Sequence, residues 1–196
     1  MTPEIRAFEF ALGLFSVLIG LSIADVATSL HRLIRKQDLV HWDPLALLAA
    51  LFALLMAIGM WFDLWGIRNA TSVRHFFLYL ALVASFFVLF LLAAASLPDE
   101  VSGPVDLRSY YERNRRYFWS LVCIFQIIYA ALGVHFLAPV VKFLPRGELL
   151  ITALQWGLLI LIPAALTVVR ARAIHYLALA VLFAINLWHY SGYAIN

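Results

Sequence analysis

Six polar side chains within apolar stretches are the residues of this sequence whose types suit chemistry. They are Glu9, Asp25, Asp63, Asn186, His189 and Tyr193. A carboxylate inside a membrane span costs about 2.5 to 3.5 kcal/mol on insertion scales, so it is expected to face protein, water or a cation rather than lipid. Together these side chains are candidates for a path that conducts an ion, a proton or a small polar solute.

A structural interpretation of the same side chains stays open beside the functional one. Asp25 shares a polar stripe with Ser22, Ser29 and Arg32 at helical spacing, so pairing with Arg32 would satisfy it locally. Asn186 lies deep enough in its stretch to need a partner on a neighbouring helix. The alternatives are therefore inward packing of this polar face, or a wet path with Asp25 toward its inner end.

Three histidines, His75, His135 and His189, occupy similar depths near the ends of three apolar stretches. Imidazoles at one level suit a transition metal, and two facing histidines suit haem held between helices. None of the three has the close i, i+3 or i, i+4 ligand pairing of a bundle metal site, and no haem-attachment motif is present. We therefore predict no cofactor, with haem or a metal at these histidines as the alternative.

Catalytic sequence motifs are absent. The chain has no Gly-rich phosphate loop, no Gly-x-Ser-x-Gly elbow and no His-Glu-x-x-His, so we predict that it is not an enzyme. The basic cluster of Arg113, Arg115 and Arg116 lies among tyrosines and is a candidate site for an anionic lipid headgroup. Topology and snorkelling of the arginine side chains explain the same cluster without a ligand.

The elements that position these residues are membrane spans. Of the 196 residues, 65% are hydrophobic and 13% charged, and the mean hydropathy is +0.94. Such a composition excludes a water-soluble domain. The net charge of +3 does not indicate a nucleic-acid partner, because basic residues of membrane proteins set topology and meet lipid headgroups.

Six apolar stretches are each long enough to cross a bilayer core of about 30 Å. The sequence therefore predicts one all-α transmembrane domain, with helices at about 8–34, 44–67, 73–96, 110–137, 148–169 and 173–194. We expect the first helix to be central, with small residues such as Gly13 and Gly20 admitting a close neighbour. Asp43 and Pro44 predict the start of the second helix, and a capping box from Ser109 to Glu112 predicts that of the fourth.

The basic residues are distributed unequally between the two ends of the predicted bundle. The first, third and fifth connectors hold nine, namely Arg32, Arg35, Lys36, Arg108, Arg113, Arg115, Arg116, Arg170 and Arg172. The opposite end holds five, Arg6, Arg68, Arg74, Lys142 and Arg146. The positive-inside rule then predicts that both termini face away from the cytoplasm.

Two patches carry a resemblance to a known group. Phe8-Glu9-Phe10 leads into the run from Gly20 to Val26, and Tyr110-Tyr111-Glu112-Arg113-Asn114-Arg115-Arg116 follows later. These patches cover under a fifth of the chain, and they resemble a group of small bacterial multi-pass membrane proteins with six helices. The resemblance implies a bacterial inner-membrane location and brings no activity with it.

Three functions remain in view. The first is a small oligomeric channel or transporter for an ion or small solute, which contacts Asp25, Asp63, Asn186 and His189. The second is a non-catalytic accessory or assembly subunit of a larger membrane complex. The third is a redox protein that binds haem or a metal. The expected partners are membrane lipid and either further copies of this chain or the subunits of such a complex.

Overall fold

The computed structural model describes residues 3–66, 76–141 and 145–191, apart from the side chains of 3–11, 65–66, 136–141 and 146. It contains six helices, α1 (Pro3–Arg35), α2 (Pro44–Gly66), α3 (Phe76–Ser96), α4 (Leu107–Val141), α5 (Arg146–Val168) and α6 (Arg172–Tyr190). Each is long and apolar enough to cross a membrane. The predicted all-α class with six spans is confirmed for these ranges. Helix α4 runs past Pro139, where the sequence predicted a connector.

Helix α2 is the centre of the bundle. It packs against α1, α3, α4 and α6, and 56% of its span is buried, compared with 28% of the span of α1. The expectation that the first helix is central is therefore wrong. The reason is a seam of small residues on α2, which lets neighbouring helices approach on several sides. The buried members of this seam are Ala46, Ala49, Ala50, Ala53 and Ala57.

Helix α1 packs through large residues rather than through its glycines. A Cβ added to Gly13 or Gly20 would meet no atom within 4 Å, so the expected close approach at that face does not occur among the described residues. The buried positions recur at spacings of three and four, as Phe15, Ile19, Ser22, Val26, Ser29 and Leu33. Phe15 stacks on Phe86 of α3 with ring centroids 4.7 Å apart, a larger apolar contact than a glycine can make.

Two connectors meet beyond the ends of α1 and α3. The segments β1 (Val40–His41) and β2 (Val105–Asp106) pair in parallel, with Val40 opposite Val105. Basic side chains at the end of α1 reinforce this junction. Arg32 Nη1 donates to the carbonyl of Asp99, and Lys36 Nζ donates to that of Val101, each at 2.5 Å. The first and third connectors therefore lie at one end of the bundle, which we call the connector face.

Helix α4 begins at Leu107 because Asp106 caps it. Asp106 Oδ1 accepts the backbone N–H of Arg108 at 3.0 Å, and Oδ2 accepts the hydroxyl of Ser109 at 2.6 Å. The Ser109 hydroxyl, with the backbone N–H groups of Arg108 and Ser109, holds the pKa of Asp106 below its ordinary value. The predicted capping box at Ser109 is wrong, since Asp106 supplies the cap earlier and Glu112 pairs with Arg108 at 3.3 Å.

Asp43 joins the start of α2 to the start of α6. Its Oδ2 accepts the backbone N–H of Ala46 at 3.4 Å, so the predicted cap ahead of Pro44 is present. Its Oδ1 accepts Arg172 Nη2 at 2.5 Å, and Arg172 Nη1 also reaches Glu112 of α4 at 3.4 Å. The fifth connector thus reaches the connector face with the other two. Which side of the membrane this face occupies stays a prediction.

We predict that Asp43→Ala destabilises the protein by about 1 to 3 kcal/mol, because it removes a helix cap and leaves a partly buried guanidinium without its carboxylate. Thermal unfolding in mild detergent measures the effect. Asp38→Ala is the matched control: Asp38 is exposed and no hydrogen bond to a described residue is found for it, so a change within about 0.5 kcal/mol is expected. Equal losses in both variants would contradict the role given to Asp43.

Candidate functional site

A cavity of about 290 Å³ lies between α2, α4, α5 and α6. Helix α5 packs mainly against α4 and only slightly against α6, which leaves this space open. Its walls are Met56, Met60, Asp63, Phe125, Gln126, Tyr129, Gln155, Trp156, Leu159, Ile185, Asn186, Trp188, His189 and Tyr190. Asp63, His189 and Tyr190 lie near the ends of α2 and α6, so the cavity occupies the end opposite the connector face, called the far face below.

Asp63 is the hub of the polar wall. Its Oδ2 accepts the hydroxyls of Tyr129 and Tyr190, each at 2.8 Å, and its Oδ1 lies 3.5 Å from His189 Nε2. Only 13% of the Asp63 side chain is exposed. Partners from α4 and α6 therefore supply the hydrogen bonds that a carboxyl group needs when it is withdrawn from water.

The donor and acceptor roles around Asp63 follow from its partners. Both tyrosine hydroxyls donate to Oδ2, and Oδ1 faces His189 Nε2. The tyrosine hydroxyls bring no positive charge to the carboxylate, so among these three partners only the imidazole can carry one.

Two glycines let the aromatic walls close around this hub. A Cβ added to Gly59, one turn before Asp63 on α2, would lie 2.5 Å from the ring and hydroxyl of Tyr190. A Cβ added to Gly133 on α4 would lie 1.7 Å from the ring of Trp156. Real side-chain atoms do not approach so closely, so both aromatic positions depend on glycine. Gly59 in particular provides the space through which Tyr190 reaches Asp63.

Buried aromatic rings close the cavity toward the middle of the bundle. Phe52 makes an edge-to-face contact with Phe183 at 5.5 Å and lies 6.4 Å from Trp119. Phe52 and Trp119 have no exposed surface. At a rise of about 1.5 Å per residue, the wall from Met56 to Asp63 covers about 10 Å of α2, and Phe52 lies about one turn further in. The described wall of the cavity on α2 therefore ends at Met56, before this aromatic layer.

A hydrogen-bonded chain underlies this aromatic layer on the connector side. His175 Nε2 lies 2.9 Å from the carbonyl of Val169, which can only accept, so Nε2 carries the proton. The neutral ring then accepts at Nδ1 from the Tyr111 hydroxyl at 2.8 Å, and that hydroxyl accepts from Trp119 Nε1 at 2.9 Å. Arg115 also donates to the Val169 carbonyl. Every polar atom named here has a partner. The network therefore joins α4 to α6 and to the end of α5 near the connector face.

The structure brings some of the expected residues together and separates others. Asp63, Asn186 and His189 line the same cavity at the far face. Asp25 lies outside it on α1, and its Oδ2 is buried with no hydrogen-bond partner among the described residues. The local pairing with Arg32 is not made, since Arg32 donates to the carbonyl of Asp99. The Glu9 side chain, His75 and Tyr193 fall outside the described residues.

Asn186 lines the cavity, whereas His135 lies outside it. Asn186 Nδ2 donates to the carbonyl of Leu182 in its own helix at 2.8 Å, so the expected interhelical partner is wrong. A short polar side chain in a helix can reach the carbonyl four residues earlier, which explains why Asn186 donates within its own helix. His135 is exposed on α4 and is not a wall of the cavity. Within the described ranges, no three His, Cys, Asp or Glu side chains form a metal-binding group.

Sequence reasoning missed Tyr129, Tyr190 and Trp156 as cavity residues. One signal for Tyr129 was available, because a hydroxyl in the middle of an apolar span needs a polar partner. Tyr190 directly follows His189, and its hydroxyl reaches Asp63 only because Gly59 of α2 leaves space for its ring. Nothing in the local sequence of Trp156 separates it from an ordinary lipid-facing tryptophan, and its place depends on Gly133 of another helix.

Comparison of the chain with protein-family models, with curated proteins and with solved structures finds no significant match. The functional conclusion therefore rests on the cavity and its chemistry.

We predict that Gly59→Ala destabilises the detergent-solubilised protein by about 1 to 2 kcal/mol, because the new methyl group displaces Tyr190 from its hydrogen bond to Asp63. Gly20→Ala is the matched control, since a Cβ there meets no atom within 4 Å. Alanine is favoured over glycine inside a helix by about 0.5 to 1 kcal/mol, so Gly20→Ala should be neutral or stabilising. Thermal unfolding measures the stability of both variants. Equal changes in stability would argue against a role for the Tyr190 contact.

Proposed function

We propose that this protein is a small membrane transport protein whose far-face cavity binds a small organic cation, such as a protonated or quaternary amine. The observation that carries the proposal is the combination of one carboxylate, Asp63, with aromatic walls in a cavity of about 290 Å³. Small-molecule sites in proteins are typically apolar pockets of about this size or larger, with a few polar groups that orient the ligand.

The charges of the cavity walls favour a cation. Asp63 is the one acidic residue among the walls that the structure describes, and none of those walls is a lysine or arginine. The nearby His189 brings a positive charge only when it is protonated. Because the region is poorly solvated, a negative charge there attracts a cation more strongly than it would in water.

The aromatic walls favour an organic cation over a metal ion. They are Phe125, Tyr129, Trp156, Trp188 and Tyr190. The face of an aromatic ring attracts a cation within about 6 Å of its centroid, the arrangement that recognises quaternary ammonium groups. A hard metal ion requires about six oxygen ligands, and Asp63 already directs its oxygens to two hydroxyls and an imidazole. Gln126, Gln155 and Asn186 add hydrogen-bonding capacity for a polar substituent.

The buried aromatic layer supports a transporter rather than an open channel. Phe52 and Trp119 have no exposed surface and lie inward of the cavity, so we expect a solute bound at Asp63 to reach the other side only after the helices rearrange. Helix α5 contacts α6 only slightly, so a shift of α5 against α6 would break few contacts. If the connector face is cytoplasmic, as the positive-inside rule predicts for a bacterial inner membrane, the cavity admits solute from the outer side.

We predict that tetramethylammonium and choline bind the detergent-solubilised protein, while 3,3-dimethyl-1-butanol, which has the shape of choline without its charge, binds at least about tenfold more weakly. Tryptophan fluorescence is a suitable readout because Trp156 and Trp188 line the cavity. Asp63→Asn should weaken binding of both cations about tenfold or more, since it removes the negative charge. Asp25→Asn makes the same chemical change in a span outside the cavity and should leave binding unchanged.

Equal binding of choline and its neutral analogue, or cation binding that survives Asp63→Asn, would contradict the organic-cation assignment. Uptake of labelled choline into proteoliposomes then tests transport separately. Binding that depends on Asp63 but is accompanied by no uptake would leave a binding protein, such as an accessory subunit of a membrane complex, in place of a transporter.

A further inference from the structure

A second cavity, of about 560 Å³, lies at the connector face. We refer to it as the arginine cleft. Three stretches of the chain contribute to it: the first turns of α4, the connector between α5 and α6, and the first turn of α6. Its walls are Arg108, Tyr111, Glu112, Arg113, Arg115, Arg116, Arg170, Arg172 and His175. Six arginines separated in sequence therefore converge on one depression.

Carboxylates neutralise only part of this charge. Glu112 is shared by Arg108 at 3.3 Å and Arg172 at 3.4 Å, and Asp43 pairs with Arg172 at 2.5 Å. Six guanidinium groups thus face two carboxylates in these ion pairs. This excess of positive charge in one depression attracts an anion.

The predicted group of Arg113, Arg115 and Arg116 divides in the structure. Arg115 is 7% exposed and donates to the carbonyl of Val169, so it holds the α5–α6 connector in place. Arg113, Arg116 and Arg170 are exposed, and no ion pair joins them to any residue that the structure describes. These three guanidinium groups are the ones placed to bind an external anion.

The chemistry of the cleft fits a phosphate group. A guanidinium group donates two parallel hydrogen bonds to phosphate oxygens, and several together bind it far more strongly than one. Topology alone does not require this arrangement, because the positive-inside rule concerns which side of the membrane holds the basic residues and not whether they share one depression. Basic pockets between transmembrane helices are typical sites for anionic headgroups.

The surface beside the cleft is apolar and suits acyl chains. On α4, the residues that follow Arg113 and Arg116 on the same side of the helix include Tyr117, Ile124 and Ile127. Their exposed fractions are 51%, 46% and 51%. A lipid with its headgroup in the cleft can extend its chains along this surface, whereas a soluble phosphate compound would leave it uncovered.

We propose that the arginine cleft binds the phosphate headgroup of an anionic phospholipid through Arg113, Arg116 and Arg170, with the acyl chains along the exposed side of α4. The cleft is separate from the far-face cavity, so this inference does not depend on the proposed transport function.

The test measures lipid retained by native mass spectrometry after reconstitution in vesicles of equal phosphatidylglycerol and phosphatidylcholine content. The intact protein should retain phosphatidylglycerol in preference to phosphatidylcholine. Arg113→Gln/Arg116→Gln should lower that retention about tenfold or more, because each basic residue contributes substantially to binding an anionic headgroup. Arg35→Gln, compared with Arg116→Gln, removes one charge from the same face outside the cleft and should change retention less than about twofold.

Two results would overturn the proposal. The first is equal retention of the two lipids, or an equal loss of retention in Arg35→Gln and Arg116→Gln, which would reduce the effect to the general charge of the face. The second is displacement of phosphatidylglycerol by millimolar inorganic phosphate or glycerol 3-phosphate, which would make a soluble anion the occupant. Arg170→Gln, from the other wall of the cleft, provides an independent variant if the double variant fails to fold, and it should also lower retention.

Discussion

Two aspartates, Asp43 just before α2 and Asp63 within it, hold α6 at both of its ends, and the position of α6 in the bundle depends on this attachment. Asp43 pairs with Arg172 at the start of α6, and Asp63 accepts the Tyr190 hydroxyl at its end. Within a bilayer, a carboxylate has to find its partners in the protein, so these contacts are far more directional than the apolar packing around them. They fix the register of α6 along α2, and both helices therefore begin at the connector face.

The fixed position of α6 explains where the far-face cavity forms. Helix α6 is held to α2, whereas α5 packs mainly on α4 and little on α6. The cavity occupies the space that this arrangement leaves between α2, α4, α5 and α6, and the contact between Phe52 and Phe183 lies further in. The arginine cleft lies at the other end of the bundle, between the first turns of α4 and α6 and the connector that joins α5 to α6. The far-face cavity is thus lined by a carboxylate and aromatic rings, and the arginine cleft mainly by arginines.

Much of this architecture could be predicted from the sequence, because hydropathy and helix length are local properties. The six spans and the cap at Asp43 followed directly from such local signals. The central position of α2 did not follow from local signals, because it depends on which of several faces of small residues packs against other helices. Gly13 and Gly20 on α1 were equally suitable for close helix packing, but a Cβ added to either meets no atom within 4 Å. The partners of a polar residue were likewise hard to predict, because they come from other helices at positions that spacing does not reveal.

Asp43 and Asp63 also differ in the charge that their partners bring. Asp43 pairs with a guanidinium group, which carries a fixed positive charge. Asp63 accepts the hydrogen bonds of two hydroxyls, which carry no charge, and faces an imidazole, which carries one only when it is protonated. The proposal of a cation site at Asp63 rests on this difference, because hydroxyl groups, unlike a guanidinium group, add no positive charge beside the carboxylate.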